Sequence, residues 1–165
     1  MTTREFLQGY VPTLAEFKAH IRMTGDDLDA TLQSNLLAAI TSVEHHIGRY
    51  VAASTITRTL PFSQAVKLKG PVNSVISVSV DGVALDPSQY SVLFDVLSIS
   101  AQSGEVLTVV YETGTALVPY DIRAAILLQA TSLFNNPSDS VETLPKASRM
   151  LLRPYRTYGL NPDGE

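Results

Sequence analysis

Apolar residues recur along the first third of the chain at the spacing of a helix. Leu28, Leu32, Leu36, Ala39, Val43, Ile47 and Tyr50 follow at intervals of 4, 4, 3, 4, 4 and 3. That is one continuous stripe at the helical period, running for roughly six turns. Asp26-Asp27-Leu28-Asp29 opens it with acids, where the positive end of the helix dipole favours them, and Gly48 lies near its end. A shorter helix precedes it. Thr13-Leu14-Ala15-Glu16 has the form of a capping box, in which the threonine hydroxyl accepts from the Glu16 N–H while the glutamate reaches back. Phe17 and Ile21 mark one face of this helix; it is predicted to end near Arg22, and Gly25 breaks it.

From Thr57 the period shortens to that of strands. Residues 57–62, 65–68 and 74–80 are rich in Thr, Val and Ile and are punctuated by Pro61, Gly70 and Pro71. In Val75-Ile76-Ser77-Val78-Ser79-Val80 the alternation is nearly strict, so Val78 and Val80 share a face. Asp81-Gly82 is a hairpin signal, because a type I′ turn needs positive φ at both central residues. Further strands are predicted over 90–94, 96–100 and 106–112, with a turn at Gln102-Ser103-Gly104. The middle of the chain therefore reads as an antiparallel meander of about six short strands.

Pro119 introduces a third helix over residues 120–134. Ala124, Ala125, Ile126, Leu127, Leu128, Ala130, Leu133 and Phe134 leave it almost no polar face, which predicts burial on more than one side. Residues 135–143 form a polar linker. Pro145 fits the first turn of a fourth helix carrying Leu144, Met150, Leu151 and Leu152, and Pro154 ends it. The fold class is α+β: about four helices in a bundle, packed with the small β-meander. Residues 1–152 are expected to form one domain and residues 153–165 an extended tail.

Composition narrows the classes of function. The chain of 165 residues is 45% hydrophobic but 17% charged, below the ~25% usual in soluble domains. That excludes a disordered chain and points to large buried surfaces. Apolar runs of about five residues, such as Ala124 to Leu128, fall short of the ~18–20 a membrane span needs. No membrane association is expected, and residues 1–5 lack the apolar run of a secretory signal. Cysteine is absent, which removes thiolate and disulfide chemistry. The net charge of −4 argues against a protein that wraps nucleic acid by neutralising phosphates.

Little in the sequence nominates catalysis. His45 and His46 are adjacent, hence about 100° apart on a helix, and do not chelate one metal as an i, i+4 pair does. With His20 on another helix, they read as polar-face or interfacial histidines. Asp26, Asp27 and Asp29 lack the glycine and terminal glutamate of a calcium loop and read as helix-start acids. Asp81, Asp86, Asp95, Glu105 and Glu112 show no spacing that pairs an acid with a base. No nucleophile elbow, phosphate-binding loop or dinucleotide fingerprint occurs. No enzyme activity, metal or cofactor is expected.

The C-terminal region differs. Lys146, Arg149, Arg153 and Arg156 fall in a stretch with no acid between Glu142 and Asp163, interleaved with Tyr155 and Tyr158. Three readings fit: a protein interface, since Arg and Tyr are enriched there; a nucleic-acid contact; or a solvated basic helix end that complements its own dipole.

The order of the landmarks carries a resemblance. The capping box runs through Phe17-Lys18 to the acidic helix start, and the long helix ends Glu44-His45-His46-Ile47-Gly48-Arg49. A threonine-rich strand, Gly70-Pro71-Val72-Asn73-Ser74-Val75 and Val80-Asp81-Gly82 follow. Val109-Val110-Tyr111-Glu112-Thr113-Gly114 then leads to a proline-started helix, and Leu144-Pro145 to the last one. This arrangement resembles the head–tail connector (adaptor) family of tailed bacteriophages. The resemblance implies a non-enzymatic virion neck protein, assembled in the host cytoplasm as a ring, typically of twelve, beneath the portal. It extends the channel for genome packaging and ejection, and DNA passes without specific binding. The implied partners are the portal protein, neighbouring adaptor subunits, and tail, stopper or tail-completion proteins. The family's C-terminal region commonly engages the portal, which assigns that contact to Arg149, Arg153, Tyr155 and Arg156. For the channel wall the candidates are Asp26, Asp27 and Asp29 or, preferred, the hairpin acids Asp81 and Asp86. Another neck or tail-completion protein, or a small-molecule-binding or hydrolytic α+β domain, is the alternative.

Overall fold

Long-range strand pairing, not chain order, arranges the β elements. A computed structural model describes residues 1–7, 12–100, 103–115, 117–136 and 144–157. The strands in chain order are β1 (Thr2–Phe6), β2 (Ser54–Pro61), β3 (Ala65–Lys67), β4 (Val72–Val80), β5 (Val83–Ala84), β6 (Tyr90–Leu93), β7 (Val96–Ile99) and β8 (Val106–Thr113). The helices are α1 (Leu14–His20), α2 (Asp29–Ile47), α3 (Tyr120–Asn135) and α4 (Lys146–Leu152). The class is α+β, as expected, with all strand pairs antiparallel and divided between two sheets. The described chain separates into two compact units. Of the described residues, 1–7, 49–100 and 103–115 belong to a β unit, and 12–48, 117–136 and 144–157 to a helical unit.

In the β unit one sheet has the order β1-β2-β8-β4-β5 and the other β3-β7-β6. The last strand in sequence, β8, is central. It pairs with β2 from Ser54↔Thr113 to Pro61↔Val106 and with β4 on its other edge. Alternate β8 residues Leu107, Val109, Tyr111 and Thr113 are buried. Ile56, Val78, Val80, Val66, Leu97 and Ile99 join them, so both sheets share one core. Val78 and Val80 do share a buried face, and Asp81 (φ 50°) and Gly82 (φ 81°) make the left-handed turn expected of them. A second turn of this kind, unannounced by sequence, joins β6 to β7 through Phe94 (φ 50°) and Asp95 (φ 64°). Strand β1 also escapes the sequence pattern because it is a charged edge strand. Its Arg4 lies 4.0 Å from the Phe6 ring centroid and donates to the Ser54 hydroxyl at 2.9 Å.

In the helical unit the predicted capping box forms. The Glu16 N–H donates to Thr13 Oγ1 at 3.2 Å, and the Thr13 N–H to Glu16 Oε2 at 2.7 Å. The helix stops at His20, two residues earlier than expected. On α2 the stripe buries Leu32, Leu36, Ala39, Ile40, Val43 and Ile47. Its two ends depart from the pattern: Leu28 precedes the helix and is exposed, and Tyr50 lies beyond Gly48, off the helix. Gly48, at φ 76°, closes α2 in the left-handed conformation. On α3 the buried set is Ile122, Ala125, Ile126, Gln129 and Ala130, a single helical face. The opposite apolar positions Ala124, Leu127 and Leu128 are half-buried, so α3 is fully covered on one side rather than on several. The predicted linker over 135–143 begins late, since Asn135 is the last residue of α3 and Asn136 caps it; its residues 137–143, Gln102, Tyr158 and the tail beyond it lie outside the described residues.

Candidate functional site

The cations of residues 146–156 are gathered by the way α4 is fastened. Leu144, Ser148 and Leu152 are buried, four residues apart, on one face of the segment. The Ser148 hydroxyl donates to the Ala125 carbonyl of α3 at 3.2 Å. The opposite face is left to Lys146, Arg149 and Met150, all exposed. Beyond α4 the chain is not yet extended: Arg153–Tyr155 form a 3-10 turn with Pro154 in its first turn. Thr157 then returns to the end of α2, where its N–H and its hydroxyl donate to the Ile47 carbonyl at 2.9 and 2.7 Å. A helix-terminal carbonyl that would otherwise lack a partner is satisfied, and the basic turn is held beside the last turn of α2.

The result is a pocket of about 420 Å³ lined by His46, Lys146, Arg149, Met150, Arg153 and Arg156. No acid lines it. Among the described residues Lys146, Arg149 and Arg153 make no ion pair. His46 is half-buried, and that burial, reinforced by the charges of Arg156 and Arg149, pushes its imidazole below the usual value. It is therefore neutral at neutral pH. Four permanent cations around a neutral imidazole make a site for anions, and each guanidinium offers a fork that matches a carboxylate or phosphate.

The structure thus brings together Arg149, Arg153 and Arg156 but not Tyr155, whose hydroxyl turns to Asp121 Oδ2 of α3 at 3.4 Å. Sequence reasoning missed His46, which stands 100 residues before Lys146 and shares no local pattern with it. It also left Lys146 and Met150 out of the site.

The acids proposed for a channel wall have local partners. Asp81 accepts from the N–H groups of Glu105 at 3.1 Å and Val106 at 2.8 Å, tying its turn to the start of β8. Asp86 caps the 3-10 turn Pro87–Gln89, accepting from the Ser88 N–H and hydroxyl at 2.9 and 2.7 Å. These two bonds hold its carboxyl below the ordinary range. Asp26 and Asp29 both accept from Lys18 Nζ, at 2.6 and 2.7 Å, while Asp27 is exposed. His20 and His45 are exposed. Among the described residues no three His, Asp or Glu side chains gather as a metal site.

The described chain thus combines a two-sheet β unit with a four-helix unit that carries a basic pocket. Known structures share this fold over nearly its whole length. One is a chain in the neck of an empty gene transfer agent (GTA) particle computed with C6 symmetry, with TM-score 0.74 and 20% identity, covering 96% of this chain and 97% of that one. A chain of the native GTA virion matches with TM-score 0.71 and 21% identity over 96% and 97%. The neck of the native particle computed with C12 symmetry supplies a third, with TM-score 0.72 and 17% identity over 96% and 97%. The chain has the fold of proteins from the neck of a phage-like particle, in keeping with the head–tail connector resemblance. No protein-family model matches it, and no curated protein is significantly similar to it in sequence.

Proposed function

We propose that this protein is a structural adaptor of a virion neck. It assembles as a ring, of twelve subunits, beneath a portal, and carries the DNA channel on to tail or stopper proteins. The observation that carries the reading is the likeness to GTA neck chains over 96% of this chain and 97% of theirs.

Two surfaces support it. The outward positions of α2, Ala30, Thr31, Gln33, Ser34, Leu37, Ala38 and Thr41, are exposed and carry no charge. A helix with no charge from residue 30 to 43 suits a subunit contact. The basic pocket suits the portal, through Arg149, Arg153 and Arg156. The net charge of −4 per subunit suits a lumen through which DNA slides without sticking. Asp81 and Asp86 are the proposed wall, and Asp81→Asn with Asp86→Asn is the variant that alters DNA passage while keeping their local bonds.

The test is native mass and electron microscopy of the protein alone and with portal rings. Twelve-fold rings or portal-bound assemblies are expected. Ala30→Glu and Ala38→Glu should block them and leave the fold intact. A small closed oligomer that ignores portal rings overturns the reading. Truncation before α4 is a poor probe of portal binding, because it strips Leu144 and Leu152 from the core. Reversing Arg149 and Arg153, both exposed, is the cleaner perturbation.

A further inference from the structure

The pocket at the end of α2 has more definition than a basic patch. Its volume, about 420 Å³, falls within the ~300–1,000 Å³ of pockets that enclose ligands. Its walls come from two separate parts of the helical unit, His46 on one side and the turn from Lys146 to Arg156 on the other. The Thr157 bonds to Ile47 hold these walls together. Met150, 71% exposed, adds an apolar, adaptable side chain to the rim.

We propose that this pocket receives a run of carboxylates on an acidic peptide segment of the docking partner, and that His46 gains a proton as the carboxylates arrive. The proposal rests on the docking reading above and names the chemistry of its partner. Charge complementarity selects the class: Lys146, Arg149, Arg153 and Arg156 line the pocket and, among the described residues, no acid does. A concave pocket with an apolar rim suits side chains that reach in from a peptide. A duplex instead presents a continuous convex array of phosphates, one charge per ~1.7 Å of axis, to a subunit that is itself at −4.

The proton linkage follows from the groups around His46. Arg156 and Arg149 act on it directly, and Lys146 and Arg153 complete the wall. Tyr155 on the same turn is committed to Asp121 of α3. On its own helix Glu44 and His45 flank it, Glu44 buried and His45 exposed. In the empty pocket those cations and burial keep the imidazole neutral. Carboxylates that neutralise the arginines lift this opposition, so the bound state holds a proton that the free state does not. Binding must then tighten as pH falls, by at most ~10-fold per pH unit for one proton.

The probe is a fluorescein-labelled peptide of alternating glutamate and glycine with both ends blocked, titrated into the full-length protein at pH 7.5 and 5.5. Glutamate stays largely ionised across this range, its ordinary pKa being ~4.3. The expected result is binding about 3–10-fold tighter at pH 5.5, reduced at least ~10-fold by Arg149→Glu with Arg153→Glu. His46→Gln should bind with a flat pH profile. The His46 ring signal in NMR should titrate at higher pH with peptide present than without it. A pH-independent wild-type affinity, or a pH response that survives His46→Gln, overturns the proton linkage. A short DNA duplex bound as tightly as the peptide, and equally weakened by the arginine reversals, overturns the carboxylate assignment. The docking reading fails separately: it is lost if the reversed variant still co-purifies with portal rings, even where peptide binding has gone.

Discussion

Asp81 offers a test that separates a structural acid from a channel-lining one. Its carboxylate accepts two backbone N–H groups, from Glu105 and Val106, the nearer at 2.8 Å. Its own backbone sits at φ 50°, a conformation that Asp and Asn adopt readily and alanine does not. Hydrogen bonds to a charged acceptor contribute ~1.5–3 kcal/mol when shielded. Asp81 is exposed, so about 1 kcal/mol for each of the two is the appropriate scale. Alanine adds about 1 kcal/mol of left-handed strain. Asp81→Ala should therefore cost about 3 kcal/mol in all. For a chain of 165 residues that lowers the melting temperature by about 6–12 °C. Asp81→Asn keeps one oxygen placed to accept both bonds and keeps the turn, so its cost should stay below about 1 kcal/mol. Asp81→Lys should resemble alanine. Urea denaturation followed by circular dichroism measures all three. Equal stability of alanine and wild type, or an asparagine variant as weak as alanine, refutes the reasoning. If the ordering holds, a packaging defect caused by Asp81→Lys reports a loosened turn as much as a changed lumen charge.

Three further outcomes are expected. Phe94 holds φ 50° at a turn while 88% exposed, so Phe94→Gly should relieve ~1–2 kcal/mol of strain against ~0.5–1 kcal/mol of added chain entropy. The melting temperature should rise, and a fall would show that the ring packs against something. Glu16 is held below its ordinary value by the Thr13 backbone bond first, opposed by desolvation and aided by the Arg123 charge. A depressed carboxylate stabilises above its unfolded value of about 4.5, and that contribution is lost as pH falls through the lower folded value. The stability gap between wild type and Glu16→Gln in urea should accordingly be open at pH 6 and close towards pH 3, and a constant gap would contradict the linkage. At Gly48, φ is 76° and an added Cβ would lie 2.8 Å from Thr157 Oγ1. Gly48→Ala should cost ~1–3 kcal/mol and, by displacing Thr157, weaken acidic-peptide binding in the same titration; unchanged binding would uncouple the Thr157 clasp from the pocket.

What could be read from the sequence alone is local. The capping box at Thr13 and Glu16, the buried stripe from Leu32 to Ile47, the Asp81-Gly82 turn and the Val78–Val80 face each depend on residues a few positions apart. Helical and strand periods, and the positive φ of a tight turn, are properties of the nearby chain. The α+β class followed from them. The same local rules overran where tertiary packing decides: Leu28 and Tyr50 kept the helical spacing but lie off the helix, since a stripe of this kind says nothing about where a helix stops.

The rest required the folded chain. Strand β8 is central because it pairs with β2 and β4, which precede it by up to 59 positions (Ser54↔Thr113), and backbone hydrogen bonding is blind to side-chain identity at that range. Strand β1 was masked by Arg4 and Glu5, the charges that suit an edge. On α3, composition predicted burial all round, but only the neighbours present in the chain can bury a face, and Leu127 and Leu128 remain half-covered. The basic stretch was visible as a run of cations, yet its meaning changed once Thr157 clasped the end of α2. That contact gathers three arginines beside a histidine more than 100 residues before them, and Tyr155 bonds Asp121 instead. Burial and electrostatic fields depend on distance in space, so the low proton affinity of His46, and the pocket that explains it, exist only in the tertiary structure.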